Sequence, residues 1–239
     1  MTKKFPFVAS FVCLIAVVIL CRLGVWQIER LEWKNNLQAE LDAAFSVETP
    51  PILNRNDIQK IKVGQIIRGS FNGQIDISKP AYFNGRIQNG RSVQAVVVPV
   101  KFNQSDITIA VEIGCHENVS KVLPEMMSAL NQTDILIKGF VRYAAKPSFV
   151  TPPNIIEKNE WWRFDNISLS HFWDVKNLSP LLMTAENTQD IFPELSACPI
   201  EKKLRNDHFS YALFWFGMAF VLSVMWGIRF LKPYIRGDV

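Results

Sequence analysis

Side chains that could carry out chemistry are sparse in this 239-residue sequence, which contains three histidines and four cysteines. The most unusual is His208, which lies between the polar residues 205–207 and about 20 apolar residues that end at Trp226. An imidazole nitrogen is a frequent metal ligand, so His208 is a candidate ligand at this boundary. The alternative interpretation is a polar residue in the interfacial belt of a membrane helix, beside Tyr211 and Trp215.

The spacing of residues after His208 predicts which side chains would accompany it. On a helix, one face would carry His208, Ala212, Trp215, Ala219, Leu222 and Trp226. The two alanines would leave room for a flat apolar macrocycle, and basic residues just before the helix could pair with the propionates of a haem. Those basic residues are Lys202, Lys203 and Arg205. A single histidine leaves both interpretations open.

Two apolar stretches are long enough to cross a bilayer as helices, at ~1.5 Å per residue. The first, residues 5–26, contains one charged residue, Arg22, near its end. It is longer than the apolar core of a signal peptide and no small-residue cleavage site follows it, so we predict an uncleaved anchor. The second begins at His208. Basic residues in the tail at 229–236 predict that both termini are cytoplasmic.

The sequence therefore predicts a transmembrane helix at 5–26, an extracytoplasmic domain at 27–207, a second transmembrane helix at 208–230 and a cytoplasmic tail at 231–239. The first span is expected to continue as an interfacial or exposed helix. Stretches rich in Val, Ile and Phe predict strands at 61–71, 93–102, 106–113 and 134–143. The predicted fold class is an α+β membrane protein whose central domain is mainly antiparallel β, a small barrel or sandwich.

Local signals add turns and short helices to this plan. Asn-Gly pairs at 72–73, 84–85 and 89–90 predict turns, the first joining a strand to another at 74–77. Short helices are expected at 117–130 and 169–175. Three prolines predict a loop at 145–159.

No motif of a known catalytic class occurs, and we predict no catalytic residues and no enzymatic activity. Cys115, His116 and Glu117 form the one cluster that could act as a nucleophile or bind a metal. Neighbouring residues on a strand point to opposite faces, which argues against their meeting at one atom. Cys115 and Cys198 could form a disulfide or remain two buried thiols. The net charge of +4, without a basic block, predicts no nucleic-acid partner.

Two motifs at the ends of the chain are specific as a pair. Residues 23–34 read LGxWQxxRxxWK after the first span, and residues 205–217 read RNxHxxYxxxWxG at the start of the last. A third fragment runs from Phe149 to Asp165 and includes Asn154, Asn159 and Trp161. Together these resemble the Surfeit locus protein 1 family of cytochrome c oxidase assembly factors. The chain is identified as a divergent, bacterial-type member that departs from the family pattern at 112–117.

The resemblance implies a protein of the cell inner (plasma) membrane, with a periplasmic central domain, that supports insertion of haem a into oxidase subunit I. It also implies that His208 is the ligand of the haem a iron. The implied partners are cytochrome c oxidase subunit I, haem a synthase and the lipid bilayer. Haem a is expected between the two helices, against a pocket lined by Trp26, Arg30, Asn206, Tyr211 and Trp215. The aromatic residues would stack on the ring, Arg30 would pair with a propionate and Asn206 would cap the helix.

A scaffold without haem is the alternative function. In that case the protein would hold oxidase subunits or haem synthase together, and its helices would pack against partner helices. Ala212, Gly217 and Ala219 would permit close approach in a bilayer.

The predicted topology is testable with reporter fusions. A reporter that is active only in the periplasm should be active when fused after Asn103. A reporter that is active only in the cytoplasm should be active when fused at Val239, because two spans enclose one extracytoplasmic domain. The opposite pattern, or a mature chain that begins beyond residue 23, would exclude the two-span arrangement.

Overall fold

The computed structural model describes residues 6–103, 106–119, 121–122, 134–144, 147–200 and 202–232. The helices are α1 (Phe7–Phe45), α2 (Arg55–Lys60), α3 (Asn166–Trp173), α4 (Thr188–Ile191) and α5 (His208–Trp226), and a π-helical stretch, Gly227–Leu231, follows α5. The strands are β1 (Ile66–Ile75), β2 (Ala81–Gln88), β3 (Arg91–Phe102), β4 (Thr108–His116), β5 (Asp134–Tyr143), β6 (Glu160–Trp161) and β7 (Leu178–Ala185).

The chain divides into two compact units. The helical unit comprises residues 1–39 and 203–239, and the sheet unit comprises residues 40–202. The helical unit therefore draws on both ends of the chain, and the sheet unit is one continuous segment between them.

In the helical unit, α1 and the helix that begins at His208 are both long and apolar enough to cross a membrane. Most apolar side chains of these helices are exposed, including Phe11, Val18 and Phe220. A helix in the core of a soluble protein would bury such residues. The prediction that the first apolar stretch continues as a helix beyond Trp26 is confirmed, since neither proline nor glycine interrupts residues 25–45.

The sheet unit contains one mixed sheet with the strand order β1-β5-β7-β4-β3-β2-β6. An additional antiparallel pairing between β1 and β3 joins five of these strands into a closed ring. Most pairings are antiparallel, as predicted, but β4 pairs with β7 and β2 with β6 in parallel. Closure removes exposed edges from the five ring strands, in the manner of a small barrel.

The turn predicted at 72–73 is wrong, and so is the separate strand at 74–77. Asn72 and Gly73 lie inside β1, where Gly73 pairs with Phe102 of β3. A Cβ atom on Gly73 would lie 2.7 Å from a methyl group of Val100 and 2.8 Å from the carbonyl oxygen of Lys101. Glycine is needed here because two backbones approach closely where the ring closes, and not because the chain turns.

The other two Asn-Gly pairs have different outcomes. At 89–90 both residues have positive φ, and the predicted turn is confirmed; it joins β2 and β3 in a hairpin. At 84–85 the predicted turn is wrong, because the register of β2 on β3 shifts there and Gly85, with φ of 83°, lies within a bulge of β2.

Three of the predicted strands, 93–102, 106–113 and 134–143, match β3, β4 and β5 closely. The strand predicted at 61–71 begins five residues later, and β2 and β7 were not predicted. The helix predicted at 169–175 is confirmed as α3. The helix predicted at 117–130 lies mostly outside the described residues.

Two apolar clusters lie on the two faces of the sheet. One is lined by Val, Ile and Phe side chains of the ring strands, among them Phe71, Val98 and Ile109. The other contains Trp161 and residues of α3, including Leu169. Asp165 starts α3 by accepting hydrogen bonds from the backbone N–H groups of residues 167 and 168, which is the role of an N-cap.

Glu112 of β4 is the one charged residue among the most deeply buried side chains that the structure describes. Its carboxylate accepts a hydrogen bond from Arg86 at 2.9 Å and one from the Thr184 hydroxyl at 2.8 Å. Burial lowers the pKa of the nearby Arg142 guanidinium. Attraction between Arg142 and Glu112 raises this pKa, and repulsion between Arg142 and Arg86 lowers it further. The carboxylate thus neutralises guanidinium groups that would otherwise repel each other.

A disulfide joins Cys115 at the end of β4 to Cys198, across a sequence separation of 83 residues. It resolves the choice between a disulfide and two thiols. Cys115 also pairs through its backbone with Ser196, so the segment before α5 is held to the sheet at two adjacent points.

Replacing Glu112 with alanine should destabilise the sheet unit by roughly 3 kcal/mol, because Arg86 loses its carboxylate beside Arg142. The measurement is urea unfolding of the detergent-purified full chain, followed by circular dichroism. Glu117→Ala is the matched control, since Glu117 pairs with Arg91 at the exposed surface and should have a much smaller effect. Equal effects of the two variants would contradict the structural role assigned to Glu112.

Cys115→Ser and Cys198→Ser should each destabilise the sheet unit by about 2–5 kcal/mol, and the double variant by no more than either single one. All three remove the same covalent bond, so their effects are not additive. His116→Ala is the control, because His116 adjoins Cys115 in sequence and is not part of the bond. Additive losses, or no loss after reduction of the wild-type protein, would contradict this prediction.

Candidate functional site

The imidazole of His208 is positioned by one polar contact in the helical unit. Its Nδ1 atom lies 2.6 Å from Oε1 of Gln27 in α1. An amide oxygen only accepts hydrogen bonds, so Nδ1 must donate in this contact. In a neutral imidazole the lone pair then lies on Nε2. A ligating histidine commonly has this arrangement, with one ring nitrogen bound to an oxygen and the other free for a metal.

The helical face predicted from the sequence is the face that packs against α1. All six of its residues are buried or half-buried, whereas the other residues of α5 are exposed. Ala212 is 1% exposed and Ala219 is 5% exposed, which in a unit of two helices requires contact with the other helix. The room that these alanines were expected to leave for a flat ligand is therefore occupied by α1 in this conformation.

Two further contacts define the register of α1 on α5. A Cβ atom added to Gly24 would lie within 2.9 Å of three ring atoms of Phe216, so any larger residue here would displace that ring. Toward the other end of the pair, the indole N–H of Trp226 donates to the hydroxyl of Ser10 at 3.1 Å. We call the packed surface between α1 and α5 the helix seam.

A polar collar above His208 ties the segment before α5 to α1. The Asn206 amide donates to Oδ1 of Asn35 at 3.0 Å, and Lys34 donates to the carbonyl oxygen of Arg205. Asn206 therefore bridges the two helices, and Asp207 is the residue at the cap position of α5, without a side-chain capping bond. The Oδ1 atom of Asn206 is buried and has no hydrogen-bond partner among the described residues, so it is an acceptor available to a donor group.

The remaining predicted site residues lie mainly at the exposed surface of the helices. Trp26 is 46% exposed and Arg30 is also exposed. The Arg30 guanidinium lies over the ring of Trp33, 4.5 Å from its centre. Tyr211 is 54% exposed and Trp215 is half-buried. The structure therefore brings His208 to Gln27 and Asn206 to Asn35, but it does not gather all six predicted residues around one point.

Gln27 is the residue that the sequence analysis missed. It is 8% exposed, the most buried polar side chain described in the helical unit. Gln27 is part of the motif LGxWQxxRxxWK, but functional roles were predicted only for Trp26 and Arg30 of that motif. The signal that would have found it is helical spacing, since Gly24, Gln27, Leu31 and Lys34 share one face of α1.

The cluster at 115–117 does not form a nucleophile or a metal site. Cys115 is in the disulfide, Glu117 pairs with Arg91, and Nδ1 of His116 accepts the backbone N–H of Asn118 at 2.9 Å. His116 and Glu117 instead line a surface cavity of about 590 Å³ with Gln88, Asn89, Arg91, Val93 and Ser196. Across the described ranges, no group of three or more His, Cys, Asp or Glu side chains could hold a metal ion.

Comparison with known proteins covers nearly the whole chain. The sequence model of the SURF1 family matches residues 14–220, which include the sheet unit and most of α1 and α5. The SURF1-like protein of Rickettsia felis is 31% identical over 231 residues, covering 92% of this chain and 95% of that protein. Surfeit locus protein 1 of Gallus gallus is 26% identical, with 92% and 74% covered. The Homo sapiens protein of the same name is 27% identical, with 93% and 78% covered. This chain therefore belongs to the SURF1 family, as its terminal motifs indicate.

Proposed function

We propose that this protein is a membrane-anchored assembly factor of cytochrome c oxidase that binds haem a through His208 and supports its insertion into subunit I. The observation that carries the proposal is the contact between Nδ1 of His208 and the buried amide of Gln27, which leaves the lone pair of Nε2 available to a metal. Membership of the SURF1 family supports the assembly role.

The exposed apolar surface of the helical unit supports the membrane anchor. Side chains such as Phe11 and Phe220 are more than 60% exposed, which is favourable in lipid and unfavourable in water. We place the protein in the plasma membrane with both termini in the cytoplasm and the sheet unit outside. The disulfide of the sheet unit supports an oxidising compartment for that unit.

The residues around His208 fit a haem in chemistry, but they place it differently from the sequence-based expectation. Because the helix seam is packed along Ala212 and Ala219, a macrocycle is better accommodated on the exposed flank of the helix pair. Exposed aromatic side chains, Trp26 and Tyr211, would stack on the ring there, and Arg30 would pair with a propionate. The haem itself would supply the iron centre and its electron chemistry.

In this proposal the protein binds haem a and transfers it, and it catalyses no covalent step. Haem a synthase would supply the haem, and subunit I would receive it. Ligation through a single imidazole at the edge of the bilayer suits transfer, since the bound group stays accessible to a partner. The buried Oδ1 of Asn206 offers an acceptor near the same end of α5 for a donor on the ligand or on a partner.

A scaffold without haem is the second candidate function, and one observation favours it. Gly217 has no heavy atom within 4 Å of an added Cβ, so its side of α5 is open, unlike the alanines in the helix seam. In a bilayer, a small residue on an open face lets a partner helix approach closely. This function needs no ligand on His208, so the haem content of the His208 variants described next separates the scaffold function from haem binding.

His208→Ala and His208→Gln should both accumulate in the membrane and lose bound haem, because each removes the imidazole lone pair. The measurement is the visible spectrum and haem content of the full chain purified from cells that make haem a, together with the haem a content of their oxidase. Glutamine keeps polarity and similar size, so folding should cost only about 1 kcal/mol.

His171→Ala is the matched control, since His171 lies on the exposed face of α3 and should leave haem content unchanged. Wild-type haem content and spectrum in both His208 variants would contradict ligation and place the scaffold function first.

A further inference from the structure

A buried glutamine in the helix seam of two apolar helices needs a structural reason. Gln27 is 8% exposed, and a buried amide without a partner is destabilising by roughly 1–3 kcal/mol. Its carbonyl oxygen is satisfied by His208, 181 residues away in sequence. An apolar residue would pack in this seam at no such cost, so the amide is explained by what it does to the imidazole.

The contact decides which nitrogen of His208 carries the proton. With Nδ1 donating to Oε1 of Gln27, the neutral ring has its proton on Nδ1 and its lone pair on Nε2. The same bond restrains rotation of the ring. Without an acceptor at Nδ1, the neutral ring would exchange between tautomers, and a fraction of molecules would present an N–H group where a lone pair is required.

The position of Gln27 is itself determined by the packing of the helices. Gly24 lies about one turn earlier on α1 and contacts the ring of Phe216 on α5. Toward the other end of the pair, Ser10 accepts from Trp226. The approach at Gly24, about one turn from Gln27, sets the local register that brings the amide within 2.6 Å of the imidazole.

We infer that Gln27 is a positioning residue that holds His208 as the Nδ1–H tautomer and leaves the lone pair of Nε2 for the iron. The inference rests on the proposed function in that it takes His208 to bind haem. It adds a residue of α1 to the site and makes ligation depend on the packing of both terminal helices. Outer-sphere partners of this kind orient a ligating histidine and raise its basicity.

The first test uses the haem-free full chain in detergent and needs no ligand. Nitrogen-15 NMR of labelled histidine reports the protonation of Nδ1 and Nε2 of His208 separately, with His208→Ala used to assign its signals. Wild-type protein should show the proton on Nδ1, and Gln27→Leu should show a shift toward the other tautomer. An unchanged tautomer in Gln27→Leu would overturn the inference.

The second test measures the dissociation constant of haem a added to the same proteins. Gln27→Leu should weaken binding by about 10–100-fold, the usual effect of losing an outer-sphere partner. Gln27→Glu keeps an acceptor at Nδ1 and should restore most of the affinity, while a more basic imidazole should lower the midpoint potential of the bound haem. Wild-type affinity in Gln27→Leu would overturn the positioning role.

Ser10→Ala is the matched control, because it removes a hydrogen bond between the same two helices without contacting His208. It should leave both tautomer and affinity unchanged; a loss equal to that of Gln27→Leu would assign the effect to helix packing and overturn the inference. If Gln27→Leu fails to accumulate, two measurements still test the inference. They are the His208 tautomer of the wild-type protein and the haem affinity of Gln27→Glu.

The outcomes separate this inference from the proposed function. If His208→Ala binds haem as well as wild type, ligation by His208 is excluded, and the inference falls with it. If His208→Ala loses haem but Gln27→Leu keeps its affinity and tautomer, ligation stands and only the role of Gln27 is excluded.

Discussion

The close approach of α1 and α5 is the constraint on which the candidate site depends. Glycine at position 24 and alanines at 212 and 219 remove the side-chain volume that would keep the two helices apart. Dispersion contacts and hydrogen bonds between helices supply the association energy in a bilayer, where the hydrophobic effect between them is weak. At this short separation the amide of Gln27 on α1 reaches the imidazole of His208 on α5, so close helix packing creates the hydrogen bond that orients the imidazole.

The same seam makes the site a property of both ends of the chain. His208 supplies the ring, and Gln27 supplies the acceptor that orients it. Asn35 and Lys34 hold the segment before α5 through Asn206 and Arg205. A change on α1 that alters the register would therefore act on the imidazole without contacting any ligand.

The sheet unit has its own sources of stability. Its ring of strands closes through β1 and β3, its buried Glu112 neutralises Arg86, and its disulfide ties the segment ending at 198 to β4. Each of these is a contact between residues far apart in sequence. Together they stabilise a unit that has its own hydrophobic core.

The sequence by itself determined the two apolar helices, the mainly antiparallel sheet, which residues of α5 share a face with His208, and the family. Length, periodicity and the two terminal motifs are local signals, because each lies within one segment and does not depend on tertiary contacts. Local reading failed at Gly73 and Gly85, where the same Asn-Gly pair that forms a true turn at 89–90 serves a close approach or a bulge. Only the tertiary structure decided between these uses, because each depends on what lies opposite the glycine. It alone also decided that Cys115 bonds Cys198, that β4 and β7 run parallel, and that Gln27 meets His208. These pairings join residues dozens to nearly two hundred positions apart, and no pattern within either segment specifies its partner.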